Sequence, residues 1–156
     1  MAAGSLTRAR CAAGVTLLEL LITLAILGIL TAIAVPSYRS YVVRANRTDA
    51  KAALMSAAEA LERCYTRNNS YVDAPPNAPC ATASSLPYTV ATGDYQISAD
   101  PGPPAPHSGI NAQGFALIAT PLGPQAQDLT CGSFTLDDTN QRGVTGRGAA
   151  ADCWAR

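Results

Sequence analysis

The 156-residue chain has little charge and few of the residues that catalysis most often uses. Only 14% of its residues are charged, whereas about 25% is usual for a soluble domain. Eleven basic residues balance eleven acidic ones, so the net charge offers no broad attraction for nucleic acid. A single histidine leaves little for a His-rich metal site or a Ser-His-Asp centre. The composition therefore points away from an enzyme and away from a basic binding protein.

The apolar residues are concentrated near the N-terminus. Residues 15–35 read VTLLELLITLAILGILTAIAV, and Glu19 is the only charged residue among them. At 1.5 Å per residue this stretch would span about 30 Å, the thickness of a bilayer core. The alternative is the buried helix of a soluble protein, but such a helix is rarely apolar on every face over this length. We therefore predict a membrane-spanning helix over 15–35.

The residues around this span do not fit an ordinary secretory signal. Arg8 and Arg10 precede it without any acidic residue, as in the n-region of an export signal. However, the apolar run exceeds the roughly 7–15 residues of such a signal, and the bulky segment PSYRSY follows at 36–41. A plain N-terminal anchor is the other alternative. Against it, the Glu19 carboxylate would cost on the order of 2.5–3.5 kcal/mol inside a membrane, which suggests that it has a partner elsewhere.

Several short stretches of sequence together form a characteristic combination. A glycine precedes the apolar run, a glutamate follows five residues later, and a proline comes just after the run. The stretches are GVTLLE at 14–19, AVPSY at 34–38, RTDAKAAL at 47–54, ALERCY at 60–65, NNSY at 68–71, CGSFTL at 131–136 and CW at 153–154. The first two resemble the class III signal of type IV prepilins, and the others are similar to the PilE-like minor pilin branch.

The resemblance implies an α+β chain in which a long N-terminal helix packs on a small antiparallel sheet, the type IV pilin fold. It also implies a division of the chain into four parts. These are a prepilin leader peptide at 1–14, a transmembrane and assembly half of the helix at 15–35, an amphipathic half at 36–67, and a disulfide-containing globular sheet domain at 68–156.

The resemblance also implies how the N-terminus is processed. A prepilin peptidase would cut between Gly14 and Val15 and methylate the new amino terminus. Glu19 would become the fifth residue of the mature chain and neutralise the terminal amine of a neighbouring subunit during assembly, with Pro36 as a second assembly position. Such a pairing is physically sensible, because two opposite charges in an apolar core are costly apart and tolerable together. The chain departs from the family pattern at Ala13, where a basic residue is usual, and at Val15, where phenylalanine is usual.

The orientation of the span brings two arguments into conflict. Two arginines precede it, whereas basic residues follow it at positions 39, 44, 47 and 51, so the positive-inside rule alone favours a cytoplasmic C-terminal side. We expect the opposite, because the leader must meet a cytoplasmic peptidase and the cysteines need an oxidising compartment. The precursor is then a single-pass inner-membrane protein with a periplasmic C-terminal domain, and the mature chain lies in an extracellular pilus. The partners implied are major and minor pilin subunits, the prepilin peptidase, the inner-membrane pilus assembly machinery and the membrane.

Four cysteines remain once Cys11 leaves with the leader, and all of them follow the span. Their number permits three pairings, and the sequence alone does not choose between them. Pairing between nearest neighbours would give Cys64–Cys80 and Cys131–Cys153, and the disulfide-bounded C-terminal loop of the family supports the second pair. A zinc site is the competing interpretation, but the chain has no C-x-x-C motif and its histidine, His107, lies in a Pro/Gly stretch. We expect disulfides, and we expect neither a metal nor a cofactor.

Residue patterns extend the prediction beyond the span. Pro36 should kink the helix without ending it, and the helix should reach about Arg67. Ten of the eleven prolines fall between 75 and 124, where strands and turns should replace the helix. Strands are predicted at 95–98, 114–120 and 131–136, with loops at 100–113 and 141–152 and a solvated turn at 137–138. The apolar face of the helix should comprise Ala50, Ala53, Leu54, Ala57, Leu61 and Cys64.

Three function classes follow from these features, and an enzyme is not among them. The first is a structural subunit of type IV pili, a minor pilin that is inserted into the filament or primes its assembly. The second is a DNA-binding pilin for DNA uptake. From position 67 onward four arginines face seven aspartates, so we do not expect nucleic acid as a partner, although Arg142 and Arg147 form a small basic patch. The third is a type II secretion pseudopilin, but the usual calcium-site acids are not evident near the C-terminus.

Overall fold

The computed structural model describes residues 15–72, 85–102 and 109–155. Within these ranges a long helix precedes a set of short strands. The chain falls into two compact units, one up to Arg39 and one from Ser40 onward, and the long helix contributes to both. The elements are α1 (Leu17–Asn68), β1 (Tyr88–Thr89), β2 (Tyr95–Ala99), β3 (Ala116–Pro121), a 3-10 helix (Gly123–Gln127), β4 (Phe134–Asp137), β5 (Arg142–Val144) and α2 (Ala150–Trp154).

The first unit contains the apolar part of α1, which begins where Thr16 caps it. The Thr16 hydroxyl accepts a hydrogen bond from the main-chain N–H of Glu19 at 3.2 Å, as an N-cap side chain does. Every described residue from 15 to 39 is exposed within the chain. The hydroxyls of Thr23 and Thr31 donate to helix carbonyls one turn back, at 2.8 and 2.9 Å. By length and composition, α1 is long and apolar enough to cross a membrane.

In the second unit, α1 presents an apolar face to the rest of the chain. The predicted face is confirmed, although Ala53 is only half-buried. The helix ends at Asn68, one residue beyond the predicted end, and Asn69 takes a positive φ of 53°. Its N–H donates to the carbonyl of Tyr65 at 2.7 Å, which satisfies a carbonyl of the last turn. The buried residues of the face are Ala50, Leu54, Ala57, Leu61 and Cys64.

The strands form an antiparallel meander in which each strand pairs with the next, in the order β1-β2-β3-β4-β5. In the register of this sheet, Ile97 lies opposite Ala119, which in turn lies opposite Phe134. Alternate residues therefore point to one face, and that face supplies the sheet's half of the core. Its buried members are Tyr95, Ile97, Leu117, Ala119, Phe134 and Leu136. The α+β prediction, with a helix packed on an antiparallel sheet, is confirmed.

The predicted strands at 95–98, 114–120 and 131–136 correspond to β2, β3 and β4, and β4 is shorter than predicted. The prediction missed β1 and β5, which have two and three residues and are too short to show an alternation. It was wrong to treat 141–152 as loop only, since β5 pairs with β4 there and α2 begins at Ala150. His107 and part of the predicted loop at 100–113 lie outside the described residues.

The acidic pair at 137–138 was wrongly predicted to be a solvated turn. Asp137 is only 7% exposed and ends β4. One of its carboxylate oxygens accepts hydrogen bonds from the N–H groups of Thr139 and Gln141, at 3.0 and 2.8 Å, and from the Thr139 hydroxyl at 2.7 Å. This carboxylate therefore organises the turn between β4 and β5, since it satisfies donors that the turn leaves free.

Candidate functional site

Of the residues predicted for processing and assembly, the three that the structure describes lie just before α1 or within it. Gly14 lies outside the described residues. Val15 is 71% exposed, Glu19 lies in the first turn of α1, and Pro36 lies inside the helix. The structure adds Thr16, whose hydroxyl caps the helix and which the sequence analysis did not single out. The T-x-x-E spacing of Thr16 and Glu19 is the signal that would have found it.

Of the four cysteines predicted to form disulfides, the structure describes both members of one predicted pair and one member of the other. Cys131 and Cys153 form a disulfide, with an S–S distance of 2.06 Å and a sequence separation of 22 residues. This pairing is the one that the family resemblance implied. Cys64 is disulfide-bonded too, but its predicted partner, Cys80, lies outside the described residues. The Cys64–Cys80 pairing therefore stays a prediction.

The disulfide closes a C-terminal loop, residues 131–153, whose two ends are also joined through the main chain. The N–H groups of residues 145–148 donate to carbonyls of residues 129–133 at 2.7–3.0 Å. Gly146 permits this close approach, because a Cβ at that position would collide with the carbonyl oxygen of Thr130. The loop is thus held by a disulfide, a ladder of hydrogen bonds and the turn at Asp137.

Arg47 of α1 reaches the segment that leads into this loop. Its Nε and one Nη donate to the two carboxylate oxygens of Asp128, each at 2.6 Å. The Asp128 side chain is 3% exposed and also accepts from the N–H groups of Thr130 and Cys131. Burial opposes the charge of Asp128, but the hydrogen bonds from Arg47 and Cys131 are decisive and lower its pKa below the usual value. The same hydrogen bond to Asp128 raises the pKa of Arg47.

Gln125 provides a second polar link between α1 and the segment before β4. Its side chain is almost fully buried and donates to the hydroxyl of Tyr95 at 3.1 Å and to the carbonyl of Val43 at 3.4 Å. Its amide oxygen accepts from the side chain of Asn46 at 3.2 Å. A buried amide that is satisfied at three points fixes the position of the segment relative to this part of α1.

Lys51 and Arg142 contact the end of the chain from two elements. The ammonium group of Lys51 donates to the carbonyls of Ala155 at 3.0 Å and Cys153 at 3.4 Å. Partial burial, and then the nearby charge of Arg47, lower the pKa of Lys51. The guanidinium of Arg142 lies 5.1 Å from the centre of the Trp154 ring, within the range of a cation–π contact. The indole N–H of Trp154 donates to a main-chain carbonyl of β5 at 3.0 Å.

These contacts bring four basic residues to the surroundings of one disulfide, and we call this surface the basic edge. The acid in these contacts is Asp128, which Arg47 neutralises. Three further acids lie near the basic residues in the chain: the exposed Asp49 and Asp152 and the buried Asp137. The prediction that weighed arginines against aspartates from position 67 onward left out the two basic residues that α1 contributes. Arg47 and Lys51 are four residues apart and therefore lie on one helix face, and this spacing could have identified them from the sequence. The basic edge comprises Arg47, Lys51, Arg142 and Arg147.

The tyrosines divide between the core and the surface. Tyr65 stacks on Tyr71 with a centroid distance of 4.6 Å, and Tyr71 packs edge-on against Phe115 at 5.1 Å. Burial, and then the hydrogen bond to Glu62, raise the pKa of Tyr71 to about 12. Tyr38 and Tyr41 are exposed on α1. Tyr65 and Tyr71 are therefore occupied in packing and offer no platform for stacking bases.

Comparison with known proteins places the chain in a family. A family model described as type IV minor pilin ComP, DNA uptake sequence receptor, matches residues 36–135, more than half of the chain. A second model, the prokaryotic N-terminal methylation motif, matches residues 9–35, which include Gly14, Val15 and Glu19. A solved structure described as a high-resolution structure of a type IV pilin from Shewanella oneidensis is 28% identical. That match covers 73% of this chain and 99% of that chain, with a TM-score of 0.41. The chain therefore belongs to the ComP family of type IV minor pilins, and it is a pilin and not an enzyme.

Proposed function

We propose that this minor pilin is a receptor for DNA on type IV pili and that Arg142 and Arg147, the exposed members of the basic edge, contact the phosphates. The observation that carries the proposal is the match of residues 36–135 to a family described as a DNA uptake sequence receptor. The match contains Arg47 and Lys51, while Arg142 and Arg147 lie just beyond it. This family description speaks against the expectation, drawn from the charge count, that nucleic acid is not a partner.

The geometry of the basic edge suits a polyanion. Arg142 and Arg147 are exposed, and both lie in a loop that a disulfide and main-chain hydrogen bonds hold in place. Cations on a fixed backbone lose little conformational freedom when they meet phosphates. Arginine also pairs with phosphate oxygens or with the edge of guanine through two parallel hydrogen bonds. A few such residues on one edge are able to attract DNA even though the whole chain is neutral.

For the N-terminal part we propose the processing and location that the methylation motif at 9–35 supports. The leader at 1–14 is removed after Gly14, and the amine of Val15 is methylated. Residues 15–35 hold the precursor in the inner membrane with the sheet domain in the periplasm, and the mature chain then enters the pilus through its partners. Glu19 neutralises the amine of a neighbouring subunit. The match of residues 36–135 to a pilin family favours the pilus over a type II secretion pseudopilin.

The test measures binding of a fluorescent DNA duplex to the full chain in non-ionic detergent over a range of salt concentrations. We expect binding that weakens steeply with salt, because each neutralised phosphate lowers log K by about 0.9 per tenfold rise in salt. The double variant R142Q/R147Q should bind more weakly and show a salt slope shallower by about two. The control is Arg63→Gln, which removes a charge from an exposed pair with Glu59 outside the basic edge. Absence of binding by the wild type at low salt would remove the proposal.

A further inference from the structure

Leu129 is exposed in a place where the fold gives it no packing role. Its side chain is 65% exposed, and among the described residues that follow α1 it is the one large apolar side chain that faces solvent. An isolated exposed leucine is common on protein surfaces and needs no explanation by itself. Two further observations, the rigidity of its backbone and the charges around it, set Leu129 apart.

The backbone at Leu129 is fixed on both sides. Its N–H donates to the carbonyl of Gln127 at 2.9 Å, and its carbonyl accepts from the N–H of Arg147 at 3.0 Å. The preceding residue, Asp128, is paired with Arg47 and accepts hydrogen bonds from the N–H groups of Thr130 and Cys131. Cys131, two residues on, is held by the disulfide. Leu129 is therefore presented to solvent on a rigid turn. A side chain that inserts between the stacked groups of a partner needs such a rigid backbone.

One exposed basic residue lies beside Leu129 in the main-chain hydrogen bonding, and the acid that precedes Leu129 is neutralised. Arg147 is hydrogen-bonded to it through the main chain, Arg47 lies on the neighbouring Asp128, and the Asp128 charge is compensated by that contact. A partner for this spot must combine negative charge on its outside with apolar surface within reach of a short side chain. Duplex DNA has this combination, since phosphates line each groove and the faces of stacked bases become accessible where a base step opens.

We propose that Leu129 is a specificity-determining residue that inserts into the minor groove as an apolar wedge at a flexible base step, while Arg147 contacts the adjacent backbone. This proposal rests on the proposed DNA-binding function and adds to it a preference for deformable sequence. Proteins that use leucine in this way partly unstack one step and bend the duplex. Pyrimidine–purine steps, TA above all, are the easiest to open, and A-tracts are stiff.

The experiment uses the full chain in non-ionic detergent and two end-labelled duplexes of equal base composition. One duplex has a central TA step, and the other has the same bases rearranged into an A-tract. Affinity and end-to-end energy transfer are measured together. The wild type should bind the TA duplex about tenfold more tightly and bend it. Leu129→Ala should abolish both the preference and the bend, Leu129→Met should retain them, and Arg147→Gln should weaken binding of both duplexes equally.

Two other outcomes would overturn the proposed wedge, and a third would overturn the proposed receptor function. Equal affinity, preference and bending in wild type and Leu129→Ala would overturn the wedge while leaving DNA binding intact. Loss of filament incorporation by Leu129→Ala with unchanged DNA binding would place a neighbouring subunit at Leu129 and also overturn it. If the wild type binds neither duplex at low salt, the proposed receptor function itself fails. A folding defect is checked by the fluorescence of Trp154, which should be unchanged because a substitution at an exposed position alters stability little.

Discussion

At the scale of single residues, the contact between Arg47 and Asp128 does the most to position the basic edge. It joins α1 to a segment 81 residues further along the chain through two hydrogen bonds of 2.6 Å. Removing one partner of a largely buried pair leaves the other charge without compensation, and that costs more than losing a surface pair. The same contact keeps the turn that carries Leu129 in place. Stability and presentation of the basic edge thus depend on the same two side chains.

Asp128→Asn should lower the free energy of unfolding by about 3 kcal/mol at neutral pH. The pKa of Asp128 is lowered in the folded state, so its contribution is present above its unfolded value near 3.8 and is lost as the pH falls through the folded value. The wild type should therefore lose its advantage over the variant below about pH 4. Thermal unfolding followed by Trp154 fluorescence measures both effects. Glu59→Gln, in an exposed pair, is the control, and equal stability of Asp128→Asn and wild type at neutral pH would refute the expected role.

Glu19 is the charged residue whose predicted role can be tested alone. Glu19→Ala should leave membrane insertion intact and abolish incorporation into filaments, because the amine of the neighbouring subunit then has no counter-charge in the apolar core. Glu19→Gln keeps the size of the side chain and should fail in the same way. Membrane fractionation and mass spectrometry of sheared filaments give the two readouts. Normal incorporation of either variant would show that the charge is not what assembly requires.

At the scale of elements, the long helix was predictable and the smallest elements were not. The residues at 50, 54, 57, 61 and 64 recur at the spacing of one helix face, and this pattern can be read from the local sequence alone. β5 has three residues and exists because Leu136 and Phe134 of β4 pair with it, which no local pattern encodes. The basic edge was missed for a related reason. Its members come from α1 and from the C-terminal loop, so only the fold brings them together.

The C-terminal loop should lose its shape without its disulfide. Closing a loop of this length contributes about 3 kcal/mol in the loop-entropy model. We therefore expect C131A/C153A to unfold at lower temperature and to bind DNA more weakly, because Arg142 and Arg147 are then presented by a looser segment. Thermal unfolding and duplex binding of the double variant, beside the wild type with and without reductant, measure both. Unchanged DNA affinity in a destabilised variant would show that DNA binding does not depend on the shape of the loop.

At the scale of the whole molecule, the two units explain why average composition is a poor guide to whether the chain binds nucleic acid. The chain has eleven basic and eleven acidic residues, and its first unit contains a stretch at 15–35 whose only charge is Glu19. Most of the other charged residues that the structure describes belong to the second unit, and there the side chain of Asp128 and the whole of Asp137 are buried while Arg142 and Arg147 are exposed. Exposed charges further apart than a Debye length, about 8 Å at physiological salt, act nearly independently. If the chain is the DNA receptor that we propose, the local basic edge determines the affinity and the balanced total charge does not.

The receptor function is tested most directly by letting the full chain select from a library of random DNA duplexes and sequencing those that it retains. A receptor for a DNA uptake sequence should enrich one short motif. A duplex with that motif should then bind at least about tenfold more tightly than a shuffled duplex at the same salt concentration. R142Q/R147Q should lose affinity for both duplexes, and Leu129→Ala should lose the discrimination. Retention without an enriched motif, or equal affinity for motif and shuffled duplexes, would contradict the receptor function.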